Sequence, residues 1–250
     1  MRMLAFSAFS FMAHFRRFYS TVTSLSYYFP PRNTIIGLLA AVMGLDKDSY
    51  YDLFSRQQCR VAVSLLTPVR KLTQKLNCLD TDDIKIPRFR GIGNRYPTTT
   101  ELILAEPPHQ RVGYAVYFSH ENAEVFDELR KRLRSNLYAY PPSLGAACCL
   151  ADLFLIFDGE AQIIAADGEE FQIHTVIRED LIADKGVVPK EGLKIMREEG
   201  MPPDFKTGRE ISGPSLNFIF EASGKPMVIK VRGEVFHIRL HDRDIYGVFM

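Results

Sequence analysis

Three stretches of this 250-residue chain bring together residue types able to hold a polyanion. The first, Ala13-His14-Phe15-Arg16-Arg17-Phe18-Tyr19, interleaves cations with aromatic rings and runs through a Ser/Thr-rich connection into Tyr27-Tyr28-Phe29. That mixture suits single-stranded nucleic acid, because rings stack on bases while guanidinium groups hold phosphates. The same residues also fit a connection whose aromatics enter the core and whose arginines reach solvent. The second stretch is Phe29-Pro30-Pro31-Arg32-Asn33-Thr34, followed by the apolar run Ile35 to Leu45. Two prolines stand where a first helical turn tolerates them and Gly44 where a helix stops, so the pattern predicts a buried helix with an exposed start. Arg32, Asn33 and Thr34 then lie at free backbone N–H groups and the positive end of the helix dipole, which favour an anion such as a phosphate. A core helix with a well-made cap accounts for the same residues. The third stretch is Arg88-Phe89-Arg90-Gly91-Ile92-Gly93-Asn94-Arg95-Tyr96-Pro97. Its glycines let the backbone approach a ligand, and its arginines and Tyr96 supply charge and a stacking surface; a solvated basic loop is the alternative.

Other chemistries find little support. There is no phosphate loop, no paired histidine ligands and no G-x-S-x-G, so neither a cofactor nor a metal is expected. Cys59 and Cys78 are isolated, and the adjacent Cys148 and Cys149 match no metal-ligand spacing, which reads as buried thiols in a reduced, cytoplasmic protein. The apolar stretch after Arg2 is interrupted by Ser7, Ser10, His14, Arg16 and Arg17 without a small-residue cleavage site, so a secretory leader is not predicted. The longest apolar run is about half the ~20 residues needed to cross a bilayer, and no membrane partner is expected.

The formal charge of +1 hides an asymmetry. Residues 1–100 carry 14 Lys+Arg against 6 Asp+Glu, and residues 101–250 carry 17 against 24, giving +8 and −7. Such a split suggests a polyanion-facing surface built from the N-terminal part.

The elements that must position these groups follow from hydrophobic period. Arg2 to Phe11 is apolar on both faces and reads as a central strand. After the buried helix come a strand over Gln57 to Leu66 and about thirty residues, Val69 to Thr100, with cations at Arg70, Lys71, Lys75, Lys85, Arg88, Arg90 and Arg95. A stretch that long inside a compact domain implies a projecting hairpin or arm. Val112 to Phe118 is a strand, Glu121 to Ser135 an amphipathic helix with Val125, Phe126, Leu129 and Leu133 on its apolar stripe, and Ala146 to Phe157 can supply a fourth strand. The class is α+β, a ferredoxin-like β-α-β-β-α-β core over residues 1–180 with an arm inserted at 67–105. Residues 181–250 form a β-rich extension packed on it. In detail, Phe171 to Ile177 reads as a strand, Asp180 to Arg209 as a surface excursion, and Leu216–Phe220, Met227–Val231 and Val235–Leu240 as short strands with turns at Ser223-Gly224 and Arg232-Gly233.

Together, the opening strand, His14-Phe15-Arg16-Arg17-Phe18, Ser24-Leu25-Ser26-Tyr27, the Phe29 to Leu38 segment, Pro97-Thr98-Thr99-Thr100-Glu101-Leu102, Tyr140-Pro141-Pro142-Ser143-Leu144-Gly145 and the C-terminal strands resemble the CRISPR-associated Cas-five family, especially its type I-B branch. The resemblance implies an RNA-recognition fold of the RAMP type in a Cascade surveillance complex. Such a subunit caps the 5′ handle of the crRNA, contacts the backbone and large subunits, and meets target DNA only indirectly, through the complex. It carries RNA binding over to Arg16, Arg17, Tyr19, Arg32, Lys85, Arg88, Arg90, Arg95 and Tyr96. One branch, type I-C, is itself a metal-independent endoribonuclease using a Tyr, Lys and His constellation. Here no lysine precedes His120, and His14, His109 and His120 are scattered, so a non-catalytic subunit is expected, with the endoribonuclease as the alternative.

Overall fold

The computed structural model describes residues 1–79, 86–90, 95–240 and 242–250. In chain order, its first part holds β1 (Arg2–Ser10), the short β2 (Phe15–Arg16) and β3 (Ser26–Tyr27), α1 (Arg32–Met43), β4 (Cys59–Leu65), β5 (Val69–Leu79), α2 (Ile86–Phe89), β6 (Arg95–Ala105), β7 (Val112–His120), α3 (Ala123–Ser135) and β8 (Asp152–Glu160). β1, β4, β7 and β8 form one sheet in the order β4-β7-β1-β8, every neighbouring pair antiparallel.

Both faces of this sheet are covered, which is why β1 is apolar throughout. Leu4, Phe6, Val61, Val63, Tyr114, Val116 and Phe118 point to one side and pack with Ile35, Ile36 and Leu39 of α1 and Phe126, Leu129 and Leu133 of α3. On the other side the small residues Ala5, Ala62 and Ala115, with Met3 and Tyr117, meet Phe236, Ile238 and Ile245. Helix α1 ends where Gly44 turns to φ +80° and its N–H reaches the Ala40 carbonyl at 2.9 Å. Helix α3 starts two residues later than its periodicity suggests, because Asn122 caps it, accepting from the Glu124 N–H at 2.8 Å.

The inserted arm is a hairpin. β5 and β6 pair in register from Val69↔Ala105 to Leu79↔Arg95. That register sets Leu72, Leu76, Cys78 and Tyr96 on one face and Lys71, Lys75 and Arg95 on the other. Its root is buried at Val69, Ile103 and Ala105, and bridges Ala13↔Ile103 and Ser24↔Thr100 tie the β2–β3 hairpin to it.

The remaining chain is more regular than its sequence suggests. It contains β9 (Gln162–Ile173), β10 (Ile177–Arg178), β11 (Ile182–Val188), β12 (Ile195–Met201), β13 (Leu216–Glu221), β14 (Met227–Arg239) and β15 (Asp244–Gly247), in sheets ordered β11-β14-β15-β9 and β10-β13-β12, with β14 also pairing β9. The stretch expected to be a surface excursion therefore supplies β11 and β12. Its charged residues alternate with Ile182, Ile195 and Met201, and one of them, Glu198, is itself buried. The expected turn at Arg232-Gly233 is instead a bulge inside β14, where the pairing with β9 shifts register after Val231 and Gly233 takes φ +110°. β9 begins well before Phe171, and β8 begins at Asp152 because the residues from Pro141 to Ala151 form a loop.

Candidate nucleic-acid interface

Helix α1 is buried on nearly all sides, and the side that is left, Asn33, Thr34, Gly37, Leu38 and Ala41, forms the floor of a cleft of about 770 Å³. His14, Phe15, Arg16 and Ser24 make one wall, Ser143, Gly145 and Ala146 a second, and Tyr50, Tyr51, Phe205 and Arg209 a third. The first wall is held rigidly. The His14 ring meets the Glu101 carbonyl through Nδ1 at 2.7 Å and the Ser24 hydroxyl through Nε2 at 2.9 Å. Its backbone N–H donates to the Leu144 carbonyl at 3.1 Å. Gly145 lies against it with φ +89°, and a Cβ there would stand 2.0 Å from the His14 carbonyl oxygen. In the third wall, Asp48 accepts from Tyr51 Oη at 2.6 Å and from Arg209 Nε at 3.0 Å. Burial, followed by that carboxylate, pushes the Tyr51 phenol up to about 12, so it stays a neutral donor. On the floor, both polar atoms of the Asn33 amide are buried without a hydrogen-bond partner.

The loop after β2 forms the lip of the cleft. Arg16 is exposed and donates to the Ser20 carbonyl at 3.0 Å. Phe18 and Tyr19 are exposed, edge to face at 5.3 Å. Arg17 turns the other way. It pairs with Glu198 and Tyr19, and its guanidinium stacks 5.0 Å from the centre of the Tyr27 ring. Glu198 is 2% exposed, accepts the Tyr28 N–H at 3.0 Å, and has its carboxyl raised by burial.

The sequence-selected residues are thus distributed unevenly. Arg16, Arg17 and Tyr19 share the lip. Arg32 stands at the start of α1 but its side chain leaves the cleft: it is 3% exposed, donates to the Phe54 carbonyl at 2.6 Å and lies 3.5 Å from Asp204. The expectation of a fully exposed helix start gives way here, because a guanidinium is the group able to serve both that inward carbonyl and the carboxylate. Arg90, Arg95 and Tyr96 are exposed at the outer part of the arm, away from its buried root. Lys85 and the Arg88 side chain lie outside the described residues. Sequence reading passed over Tyr50, Tyr51, Phe205 and Arg209. The adjacent tyrosines were a local signal, but nothing local connects Arg209 with Asp48, which is 161 positions away.

The histidines are structurally occupied. His120 meets the Leu53 carbonyl through Nε2 at 2.8 Å and accepts the Asn122 N–H at Nδ1 at 2.9 Å, while His109 is exposed. Among the described residues no three His, Cys, Asp or Glu side chains are grouped to hold a metal ion, and all four cysteines are free thiols. Cys59 and Cys149 are buried, as expected, but Cys78 and Cys148 are exposed.

No curated protein matches the sequence. Among solved structures, the crystal structure of a CRISPR protein from Archaeoglobus fulgidus is similar over 99% of both chains, with a TM-score of 0.55 at 12% identity. A chain of a structure described as a CRISPR RNA-guided surveillance complex is similar over 91% of both, with a TM-score of 0.50 at 12% identity. At these identities the likeness is one of fold. The sequence itself matches the family described as CRISPR-associated protein (Cas_Cas5) over residues 3–186. That match spans the whole sheet, both long helices and the arm, and the chain belongs to the CRISPR-associated Cas5 family.

Proposed function

We propose that the protein is a non-catalytic RNA-binding subunit of a type I CRISPR surveillance complex of the Cascade kind, nearest the type I-B branch. It caps the 5′ handle of the crRNA, contacts the backbone and large subunits, reaches target DNA only through that complex, and works in the cytoplasm. The observation that carries this reading is the lip of the α1 cleft. There Arg16, Phe18 and Tyr19 stand exposed on a loop whose base is tied to the arm, so one surface offers charge, stacking rings and a cavity.

Three further observations support it. In chain order the core runs strand, helix, strand, strand, helix, strand, and its sheet order β4-β7-β1-β8 is that of a ferredoxin-like, RNA-recognition fold. One chain of similar fold belongs to an RNA-guided surveillance complex. The non-catalytic assignment rests on His14 and His120, each with both ring nitrogens engaged, which leaves neither poised as a general base.

Crosslinking of crRNA in the assembled complex tests the reading: adducts are expected within residues 14–19, and their absence there overturns it. With purified protein, Tyr19→Ala should weaken binding of repeat-derived RNA about tenfold through lost stacking. Incubating repeat RNA with the protein in EDTA should leave it intact. A discrete product lost on replacing His120 or His14 returns the protein to the endoribonuclease reading.

A further inference from the structure

On the far side of the α1 start, four guanidiniums from distant parts of the chain converge on a second cleft, of about 280 Å³. Arg32 comes from the first turn of α1, Arg56 from the connection to β4, Arg60 from β4 and Arg178 from β10. Glu234 is the one carboxylate among the lining residues, and it sits at the exposed rim, paired with Arg60.

The charges do not cancel. Arg178 is bonded to Asp180, whose carboxylate lies outside the lining, and Arg32 is 3.5 Å from Asp204. Arg56 is bonded only to backbone: its terminal nitrogens donate to the Met250 and Pro203 carbonyls at 3.0 and 2.9 Å, and no carboxylate among the described residues bonds it. Burial lowers its pKa to about 10, and the neighbouring Arg32 and Arg178 add to that ahead of the opposing Asp204 and Asp180. A cation held among like charges in a partly buried cleft is stabilised by an anion entering it. Phe249, 5.7 Å beneath the Arg60 guanidinium, gives the cleft an apolar wall that lowers the local dielectric and strengthens such an interaction.

We propose that this cleft binds a phosphate group. A tetrahedral oxyanion offers acceptor oxygens in several directions and so can engage guanidiniums approaching from separate elements, whereas a carboxylate is matched by one planar fork. The site stands on its own geometry and is independent of RNA capping. Its source is either a free phosphate or the terminal phosphate of a nucleic acid.

The test is a thermal-shift and calorimetric titration of the full chain with inorganic phosphate, ionic strength held constant with chloride, alongside Arg178→Gln and Arg60→Gln. Both are rim residues, so the bonds of Arg32 and Arg56 to backbone survive. Saturable stabilisation is expected, with affinity reduced about tenfold by Arg178→Gln while the unliganded melting temperature holds. If Arg178→Gln does not fold, Arg60→Gln carries the same comparison. Absence of a saturable response, or an equal response in the variant, overturns the proposal. A parallel titration with one oligoribonucleotide bearing either a 5′-phosphate or a 5′-hydroxyl identifies the source. Preference for the phosphorylated form, lost in the variant, assigns the site to an RNA end, and response to inorganic phosphate without that preference assigns it to the free ion.

Discussion

Arg32 illustrates how a residue's position and its side chain can serve different purposes. Its backbone starts α1 beside the large cleft, while its guanidinium reaches through to the Phe54 carbonyl and Asp204. Arg32→Ala should therefore cost about 2–4 kcal/mol of folding stability, because it leaves an inward carbonyl and a partly buried carboxylate without their partner. Chemical denaturation measures this directly; a change below about 0.5 kcal/mol, the size of an ordinary surface substitution, would contradict the packing described. Sequence reading identified Arg32 as a cation at a helix start but could not tell which way it turned. That depends on Phe54 and Asp204, whose location is a property of the fold. Arg16 and Tyr19 were legible for the opposite reason: a loop that mixes rings with cations cannot bury all of both.

At the level of elements, periodicity was informative wherever one face of an element is wet or a stretch is uniformly apolar. The central position of β1, the long apolar helix and the stripe of α3 all follow from it. It was less informative in the C-terminal part, where β12 carries Arg197, Glu198 and Glu199 in succession and still lies in a sheet, because Glu198 is matched from outside by Arg17. It also misread the Gly in β14, since a glycine at positive φ serves a bulge as readily as a turn. Gly145 is a sharper case. The loop around it joins the β2 hairpin only because a backbone without a side chain can lie against the His14 carbonyl. Gly145→Ala should lower stability by about 2 kcal/mol or more, combining the left-handed backbone with a backbone clash, and should loosen the cleft wall. Thermal melting together with hydrogen exchange at the His14 amide would check both effects; an unshifted melt would mean the two segments are not in contact.

Across the whole molecule, the charge asymmetry acquires a second meaning. Several N-terminal cations find their partners among the acids of the C-terminal part: Arg17 with Glu198, Arg32 with Asp204 and Arg60 with Glu234. Part of the +8 against −7 split thus joins the chain to itself. What remains for a polyanion includes the lip and the outer arm, so the RNA reading makes a prediction for ionic strength. Arg90→Ala combined with Arg95→Ala should reduce the slope of log affinity against log salt by about one, as fewer counterions are released. A slope unchanged within error removes the arm from the RNA surface without affecting the lip.

The arm has one more consequence. Eleven paired residues per strand, anchored at one end by Val69, Ile103 and Ala105, make a ribbon about 30 Å long whose far end stands at a fixed distance from the cleft. It is in effect a ruler. Cutting two residues from each strand would shorten the measured span and leave its leucine side and its lysine side facing as before. Cutting one from each would exchange the two sides at the tip, and with them whichever neighbours each side is shaped to meet.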